Sequence, residues 1–276
     1  MTMNKDNAWS ESSFNALLEG RGLTAALEEV EADVRRRPGQ VPSRLLLFDL
    51  MCLCGQWERA AKQLQAIASL EPSRADEVGV LSLLIAGEQL RAEVFTGKRR
   101  PESDDPPPWL EDLLAALAAQ AVENFDEADL LREKAFAGAI ETPGSLRRGS
   151  GTSVFSWVAD SDSRLGPVLE VFSGNRYLWV PFENIQSLHL SAPARPRDVV
   201  WLPARLSSRN LDSDVFLPVR YPGTERAAEP LRLGRETVWE EQGRTGVIGL
   251  GHKVWFTEAG NVPIFEIREV LFESTK

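Results

Sequence analysis

Residues 54–61 read CGQWERAA, and residues 20–27, thirty-four positions earlier, read GRGLTAAL. This offset aligns Leu23 with Trp57 and Ala26 with Ala60, so a large apolar residue is followed three positions later by alanine in both segments. The same offset aligns a further apolar pair and a pair of prolines: Val30 with Leu64, and Pro38 with Pro72. Alanine allows antiparallel helices to approach closely, and the larger residue fills the gap between successive helical pairs.

A period of 34 residues is that of tetratricopeptide repeats, in which each repeat is a pair of helices. Phe125 and Ala128 repeat the pattern two periods beyond Trp57 and Ala60, whereas the intervening position at Arg91 does not fit. We therefore expect a TPR-like stack of helical hairpins, with a concave groove that can bind an amphipathic helix of a partner. Residues 1–149 carry 25 acidic and 17 basic residues, which would favour a partner segment containing Lys or Arg.

Helical spacing of apolar residues extends through most of the first half, in the proline-free runs 43–53, 57–70, 78–95 and 109–139. The segment 101–108, PESDDPPP, cannot continue a helix and predicts a stiff surface connection. Glycines and a proline between Thr142 and Thr152 indicate a domain boundary. We predict a helical domain over residues 1–148 and a β-rich domain over residues 149–276.

The second half consists of short runs rich in β-branched and aromatic residues, which are typical of strands. The predicted strands are 154–159, 177–182, 185–190, 199–206, 215–221, 237–240, 253–257 and 264–272. One helix is expected at 166–172, ended by Gly174, and the run 246–251 is interpreted as a hairpin-like turn. The predicted fold class is α+β, with a mainly antiparallel sheet or small barrel following the helical repeats.

Composition excludes several functional classes. The net charge of −10 argues against nucleic-acid binding, which requires cations to neutralise phosphates. No uninterrupted apolar stretch reaches the ~20 residues that cross a bilayer, and the polar residues 1–15 do not resemble a secretory signal. We therefore expect a cytoplasmic protein without membrane insertion.

The only cysteines, Cys52 and Cys54, point apart on a helix and are interpreted as packing residues.

The densest group of potentially reactive residues contains Asp160, Asp162 and Glu170. An EF-hand loop starting at Asp160 would need glycine and glutamate where Leu165 and Val171 stand, so a calcium loop is not supported. We expect a structural corner instead, in which Asp162 or Ser163 caps the predicted helix, Pro167 occupies its first turn and Arg164 pairs with Asp160 or Glu170. A metal-dependent enzyme using the three carboxylates remains an alternative.

Other residues give no recognised catalytic pattern. His189 and His252 have no nucleophile in a known elbow beside them, and the glycines of 246–251 lack the features of a phosphate-binding loop. Neither a zinc site nor a cofactor site is predicted. The tryptophans are expected to be mostly buried, with one or two exposed on an interaction surface.

Several ordered motifs together resemble the TagJ/ImpE family. The motifs are MCLCGQWERA (51–60), W-x-A-D-x-D-x-R-x-G-P-x-x-E (157–170), G-x-x-Y-x-W-x-P-F (174–182), D-x-V-W-x-P-A (198–204), RYPGTE (220–225) and GLG (249–251). The likeness extends over nearly the whole chain. The Pro-rich segment 101–108 and the pair Arg147-Arg148 depart from the family pattern, and both fall in predicted loops.

The resemblance implies an accessory protein of the bacterial type VI secretion system. Members of this family are understood to bind the N-terminal helix of the sheath subunit TssB, assisting sheath assembly or disassembly alongside the ATPase ClpV, and no enzymatic activity is implied. A generic TPR-type adaptor or chaperone is the alternative. The residues of these motifs that we consider interaction candidates are Trp57, Trp157, Asp160, Asp162, Arg164, Gly166, Pro167, Tyr177, Trp179, Pro181 and Phe182.

Overall fold

The computed structural model describes residues 22–273. Residues 1–15, which were interpreted as unlike a secretory signal, lie outside this range. The first two residues of the repeat, Gly20 and Arg21, also lie outside it. The first half, from residue 22 onward, contains six α-helices: α1 (Gly22–Arg36), α2 (Val41–Leu53), α3 (Trp57–Leu70), α4 (Ala75–Phe95), α5 (Pro108–Ala121) and α6 (Phe125–Gly138). None of the helices between residues 22 and 273 is both long and apolar enough to span a membrane.

The helices follow the predicted runs. Val122, Glu123 and Asn124 interrupt the run 109–139, where Glu123 adopts a positive φ of 60° and reverses the chain between α5 and α6. The connection at 101–108 lies on the surface, as predicted, and its residue Glu102 pairs with the neighbouring sheet. The backbone N–H of Glu102 donates to the carbonyl of Tyr177, and the carbonyl of Glu102 accepts from the backbone N–H of Trp179, so this one residue forms a bridge to the edge of the sheet.

The second half, up to residue 273, contains thirteen strands and one short α-helix, α7 (Glu229–Arg232). The strands are β1 (Gly144–Arg148), β2 (Gly151–Phe155), β3 (Val158–Asp160), β4 (Val168–Ser173), β5 (Arg176–Pro181), β6 (Ile185–Leu190), β7 (Trp201–Ser208), β8 (Asp212–Pro218), β9 (Thr237–Gln242), β10 (Gly246–Gly251), β11 (Val254–Thr257), β12 (Gly260–Pro263) and β13 (Ile267–Phe272). The α+β fold with a large antiparallel sheet is thus confirmed.

Eight strands form one antiparallel sheet in the order β2-β1-β13-β6-β7-β8-β4-β5. A three-stranded sheet, β12-β11-β3, and the hairpin β9-β10 complete the described part. Because β1 pairs with both β2 and β13, the large sheet starts at Gly144, ahead of the predicted boundary at 148/149. The division into two domains remains a prediction.

Several local predictions were wrong. Arg147 and Arg148, expected in a loop, lie in strand β1, and the predicted strand 154–159 is interrupted between β2 and β3. The segment predicted as a helix at 166–172 contains strand β4, which pairs with β5 through a turn at Gly174 (φ 58°). Residues Val168 to Phe172 are all buried, so the strand lacks the alternation of polar and apolar residues that identifies a half-exposed strand. The run 246–251, predicted as a turn, is strand β10, and the turn precedes it at Gly243.

One hydrophobic cluster extends from the helices into the β-rich half. It joins residues of α1 to α5 to Val168, Phe172 and Trp201 of the large sheet. Trp57, expected to pack within the repeat, also meets Trp201, with ring centroids 5.8 Å apart. The two halves therefore share a buried apolar boundary.

The glycine at position 87 makes this boundary possible. A Cβ atom at Gly87 would lie 2.7 Å from the ring of Phe172, which is held in the core. We expect Gly87→Ala to lower the free energy of unfolding by about 1–3 kcal/mol because the core would be overpacked. The matched control is Gly79→Ala in the same helix, where a Cβ has nothing within 4 Å. Urea denaturation should show that this control stabilises the protein by about 0.5–1 kcal/mol, and equal effects of both variants would contradict the packing argument.

Candidate functional site

The motif at residues 157–170 forms a strand, a tight turn and a second strand. β3 ends at Asp160, the turn runs through Ser161 to Pro167, and β4 then carries Glu170 back through the core. The expected helix cap at Asp162 or Ser163 is wrong because no helix follows. Instead, the side chain of Asp162 accepts hydrogen bonds from the backbone N–H groups of Arg164 and Gly249, at 2.9 and 3.0 Å, and so closes the turn.

Glu170 is the centre of a buried ionic cluster between the two halves. Its fully buried carboxylate accepts two hydrogen bonds from Arg91 of α4, at 2.6 and 3.0 Å, and forms an ion pair with Lys253 at 2.6 Å. The hydroxyl of Tyr177 donates to the same carboxylate. Burial raises the pKa of Glu170, but Arg91 and Lys253 outweigh burial and hold that pKa at about 2.

Lys253 connects Glu170 to the second carboxylate of the motif. The Nζ atom of Lys253 lies 3.2 Å from Asp160, which also accepts a hydrogen bond from the hydroxyl of Tyr221 at 2.7 Å. Burial raises the pKa of Asp160 to about 6, although Lys253 acts in the opposite direction. One lysine thus neutralises part of the charge of two buried acids.

The third carboxylate, Asp162, pairs with Arg164. Two nitrogens of the Arg164 guanidinium donate to Asp162, at 2.9 and 2.5 Å, so the predicted partners Asp160 and Glu170 are wrong. The Arg164 guanidinium also lies 5.0 Å from the ring centroid of Phe95 in α4. This cation–π contact is a second connection between the motif and the helical half.

The arrangement bears directly on the enzyme alternative. All three carboxylates accept hydrogen bonds from the protein, and each has a cationic side chain within 3.2 Å. Among residues 22–273, no group of three His, Cys, Asp or Glu side chains is placed to hold a metal ion. The geometry is therefore that of a structural ionic cluster that joins α4 to β4 and to the segment before β11.

Several other candidates are buried and cannot contact a partner directly. Tyr177, Trp179, Pro181 and Phe182 all lie inside the fold. The indole of Trp179 donates to the hydroxyl of Tyr177, and Phe182 packs against Trp255 with ring centroids 5.0 Å apart. These residues support the ionic cluster and the core of the β-rich half.

An open apolar groove lies beside the motif. It has a volume of about 540 Å³ and is lined by Trp157 and Pro167 of the motif, together with the end of α6, the start of β10 and the outer face of the small sheet. Three large side chains in the groove remain substantially exposed: Phe136 at 39%, Ile140 at 57% and Phe256 at 45%. Gly166 allows this shape, because a Cβ there would lie 2.5 Å from the ring of Phe136.

A second, smaller groove of about 300 Å³ lies between α1, α2 and α3, where a TPR-like stack would bind a helix. Its apolar lining residues, Val34, Leu47 and Met51, are all buried. Its charged lining residues are Glu31, Arg35, Arg59 and Lys62, so basic side chains outnumber acidic ones. The excess of acidic over basic residues in the helical half is therefore not found among the residues that line this groove.

The cations of the cluster, Arg91 and Lys253, and the groove residues contributed by α6 were not predicted from the sequence. Arg91 was the position at which the 34-residue pattern failed. Arg91 is the one basic residue of the run 78–95, and this was the available signal for a buried pair, but its partner Glu170 lies 79 residues away. The exposed apolar residues of α6 gave no signal, because their periodicity resembles that of a core-facing helix.

Comparison with known proteins places the chain among secretion components. A family model described as ImpE protein matches residues 152–271. The type VI secretion system accessory component TagJ from Pseudomonas aeruginosa is 40% identical over 262 residues, which cover 94% of this chain and 90% of TagJ. A crystal structure of a protein from Vibrio parahaemolyticus has the same fold, with a TM-score of 0.84 at 22% identity, covering 95% of this chain and 98% of that one.

Proposed function

Since this chain belongs to the TagJ/ImpE family of type VI secretion accessory proteins, we propose that it acts by binding a helix of a sheath protein and not by catalysis. The partner is the smaller sheath subunit, TssB, and the segment bound is its N-terminal helix. Binding takes place in the cytoplasm and assists assembly or disassembly of the sheath in functional connection with ClpV.

One observation supports this function above others. Next to the family motif, the described surface presents large exposed apolar side chains in an open groove, whereas the carboxylates of the motif are paired with cations inside the fold. Exposed apolar surface of this kind is typical of protein docking sites. A helix suits such a groove because it satisfies its own backbone hydrogen bonds and presents a stripe of side chains.

Calorimetric titration of the full-length chain with purified TssB tests this function. We expect TssB to bind, and TssB lacking its N-terminal helix to bind about 100-fold more weakly or not at all, because anchor residues carry most of the affinity of an interface. TssB with a deletion of similar length at its C-terminus is the control. Equal binding of the helix-deleted and intact proteins would contradict the assignment of the helix, and absence of binding by intact TssB would contradict the assignment of the partner.

A further inference from the structure

We propose that the apolar groove beside the family motif is the docking site, and that its occupant is an amphipathic helix carrying basic residues next to its apolar stripe. This proposal rests on the proposed function, since it names the site and the charge of the partner helix. It departs from the expectation that a partner binds between the helical repeats.

The floor of the groove presents a row of side chains from the small sheet. Ala159, Phe256 and Asn261 lie in one row across the three strands β3, β11 and β12. Such a row of side chains can pack against the apolar stripe of a helix. The walls, formed by Phe136 and Ile140 on one side, leave space for the apolar stripe of a helix.

The ring pair Trp157 and Phe256 gives the groove a rigid end. Their centroids are 5.3 Å apart in an edge-to-face arrangement, and both side chains are only partly buried. Aromatic residues with few rotatable bonds lose little conformational entropy on binding, so they serve as anchors at interfaces. The groove therefore has the fixed apolar surface that a docking helix requires.

The charge around the groove is acidic. Its charged lining residues are Glu141, which is exposed and has no ion-pair partner among residues 22–273, and Asp160, which is buried with Lys253. Exposed Glu258, two residues beyond the lining residue Phe256, accepts two hydrogen bonds from Ser156, which lower the pKa of Glu258 and keep it ionised. No Lys, Arg or His is found among the residues that line the groove. An occupant with Lys or Arg beside its apolar stripe complements this charge.

The same charge argues against two other occupants. A second copy of this chain carries a net charge of −10 and would be repelled. A membrane surface rich in anionic lipids would be repelled for the same reason, because peripheral helices and patches bind such surfaces through basic residues. A basic amphipathic protein helix is therefore the occupant that the groove favours.

Two exposed positions allow the site to be tested without disturbing the core. We expect Ile140→Glu to weaken TssB binding about 30-fold or more in calorimetric titration, because it places a carboxylate among the apolar anchors. Phe256→Asn tests the opposite side of the groove. The matched control is Leu130→Glu, which introduces the same charge at an apolar residue of α6 that is 64% exposed and does not line the groove. Circular dichroism should show the same fold for all of these variants.

The charge of the occupant has its own test. Glu141→Lys should weaken binding about 10-fold at low salt, and the difference from the unmodified protein should shrink as salt screens the interaction.

Full affinity of Ile140→Glu and Phe256→Asn, combined with loss of binding in an Arg35→Glu, Lys62→Glu double variant, would place the site between α1 and α3 and overturn the proposal. A dimer in sedimentation velocity that Ile140→Glu converts to monomer would also overturn it, because the groove would then be a self-interface.

A designed probe separates this proposal from the identity of the partner. A helical peptide with leucine on one face and lysine beside it should bind the full-length chain, should bind Ile140→Glu at least about 10-fold more weakly, and should bind Leu130→Glu normally. A peptide with glutamate in place of lysine should not bind. If TssB fails to bind but the lysine peptide shows this pattern, the proposed function fails and the groove proposal stands. If TssB binds and neither it nor the lysine peptide distinguishes Ile140→Glu from Leu130→Glu, the groove proposal fails and the proposed function stands.

Discussion

Replacing Glu170 with alanine is expected to lower the free energy of unfolding by about 3–5 kcal/mol, because two buried cations lose their shared partner. The guanidinium of Arg91 and the ammonium of Lys253 both lie within 2.6 Å of this carboxylate and are themselves buried. An unpaired charge inside a protein is much more costly than the loss of one hydrogen bond. Urea denaturation at neutral pH, with intrinsic fluorescence as the signal, measures the effect.

The matched control for this prediction is Glu111→Ala, which removes the partner of Arg100 at a surface ion pair in which both side chains are more than half exposed. Exposed pairs contribute about 0–1 kcal/mol, so this variant should unfold nearly as the unmodified protein does. A loss below about 1 kcal/mol for Glu170→Ala would mean that water enters the cluster and solvates Arg91 and Lys253. The cluster would then not hold the two halves together.

The helical half was predictable from sequence because its signals are local. The repeat of Trp57 and Ala60 and the apolar spacing of 78–95 both act within a few helical turns. Most strands of the second half were found for the same reason. Strand β4 was missed because a strand that is buried on both faces has no alternation, so its apolar run cannot be distinguished from a short buried helix.

The candidate site was only partly predictable, because its contacts join distant parts of the chain. The motif 157–170 identified Asp160, Asp162 and Glu170, but the pairing of Glu170 with Arg91 connects residues 79 positions apart. The groove likewise combines the end of α6, β3 and β11, whose packing is set by the tertiary fold. A single sequence shows that such residues are unusual without showing which of them meet.

The pKa of a second buried acid, Asp49, is shifted in the opposite direction from that of Glu170. Asp49 of α2 lies 2.8 Å from the guanidinium of Arg197, yet neither Oδ1 of Asp49 nor Nε of Arg197 makes a well-directed hydrogen bond. Burial raises the pKa of Asp49 to about 7, and the nearby Arg197 only partly opposes this effect. Proximity to a cation is therefore not sufficient to stabilise a buried carboxylate, because the hydrogen-bond geometry decides how much solvation is replaced.

This contrast predicts opposite pH dependences for the two acids. A lowered pKa in the folded state stabilises the protein above the unfolded-state pKa, so the contribution of Glu170 is lost as the pH falls from about 4.5 toward about 2. A raised pKa has the reverse effect, because folded Asp49 retains a proton that the unfolded chain releases. Its contribution to stability should decline as the pH rises from about 4 to about 7.

Asp49→Asn should remove that decline, since asparagine does not titrate and has nearly the same shape. Between about pH 5 and about pH 7.5, the free energy of unfolding of Asp49→Asn should rise by about 2 kcal/mol relative to the unmodified protein. Urea denaturation at both pH values measures this change, and Asp112→Asn, which alters an acid on the exposed Lys134 pair, is the control. A relative change of the opposite sign would mean that Arg197 holds the Asp49 pKa below its ordinary value. The pair would then resemble the Glu170 cluster, and hydrogen-bond geometry would not be what distinguishes the two sites.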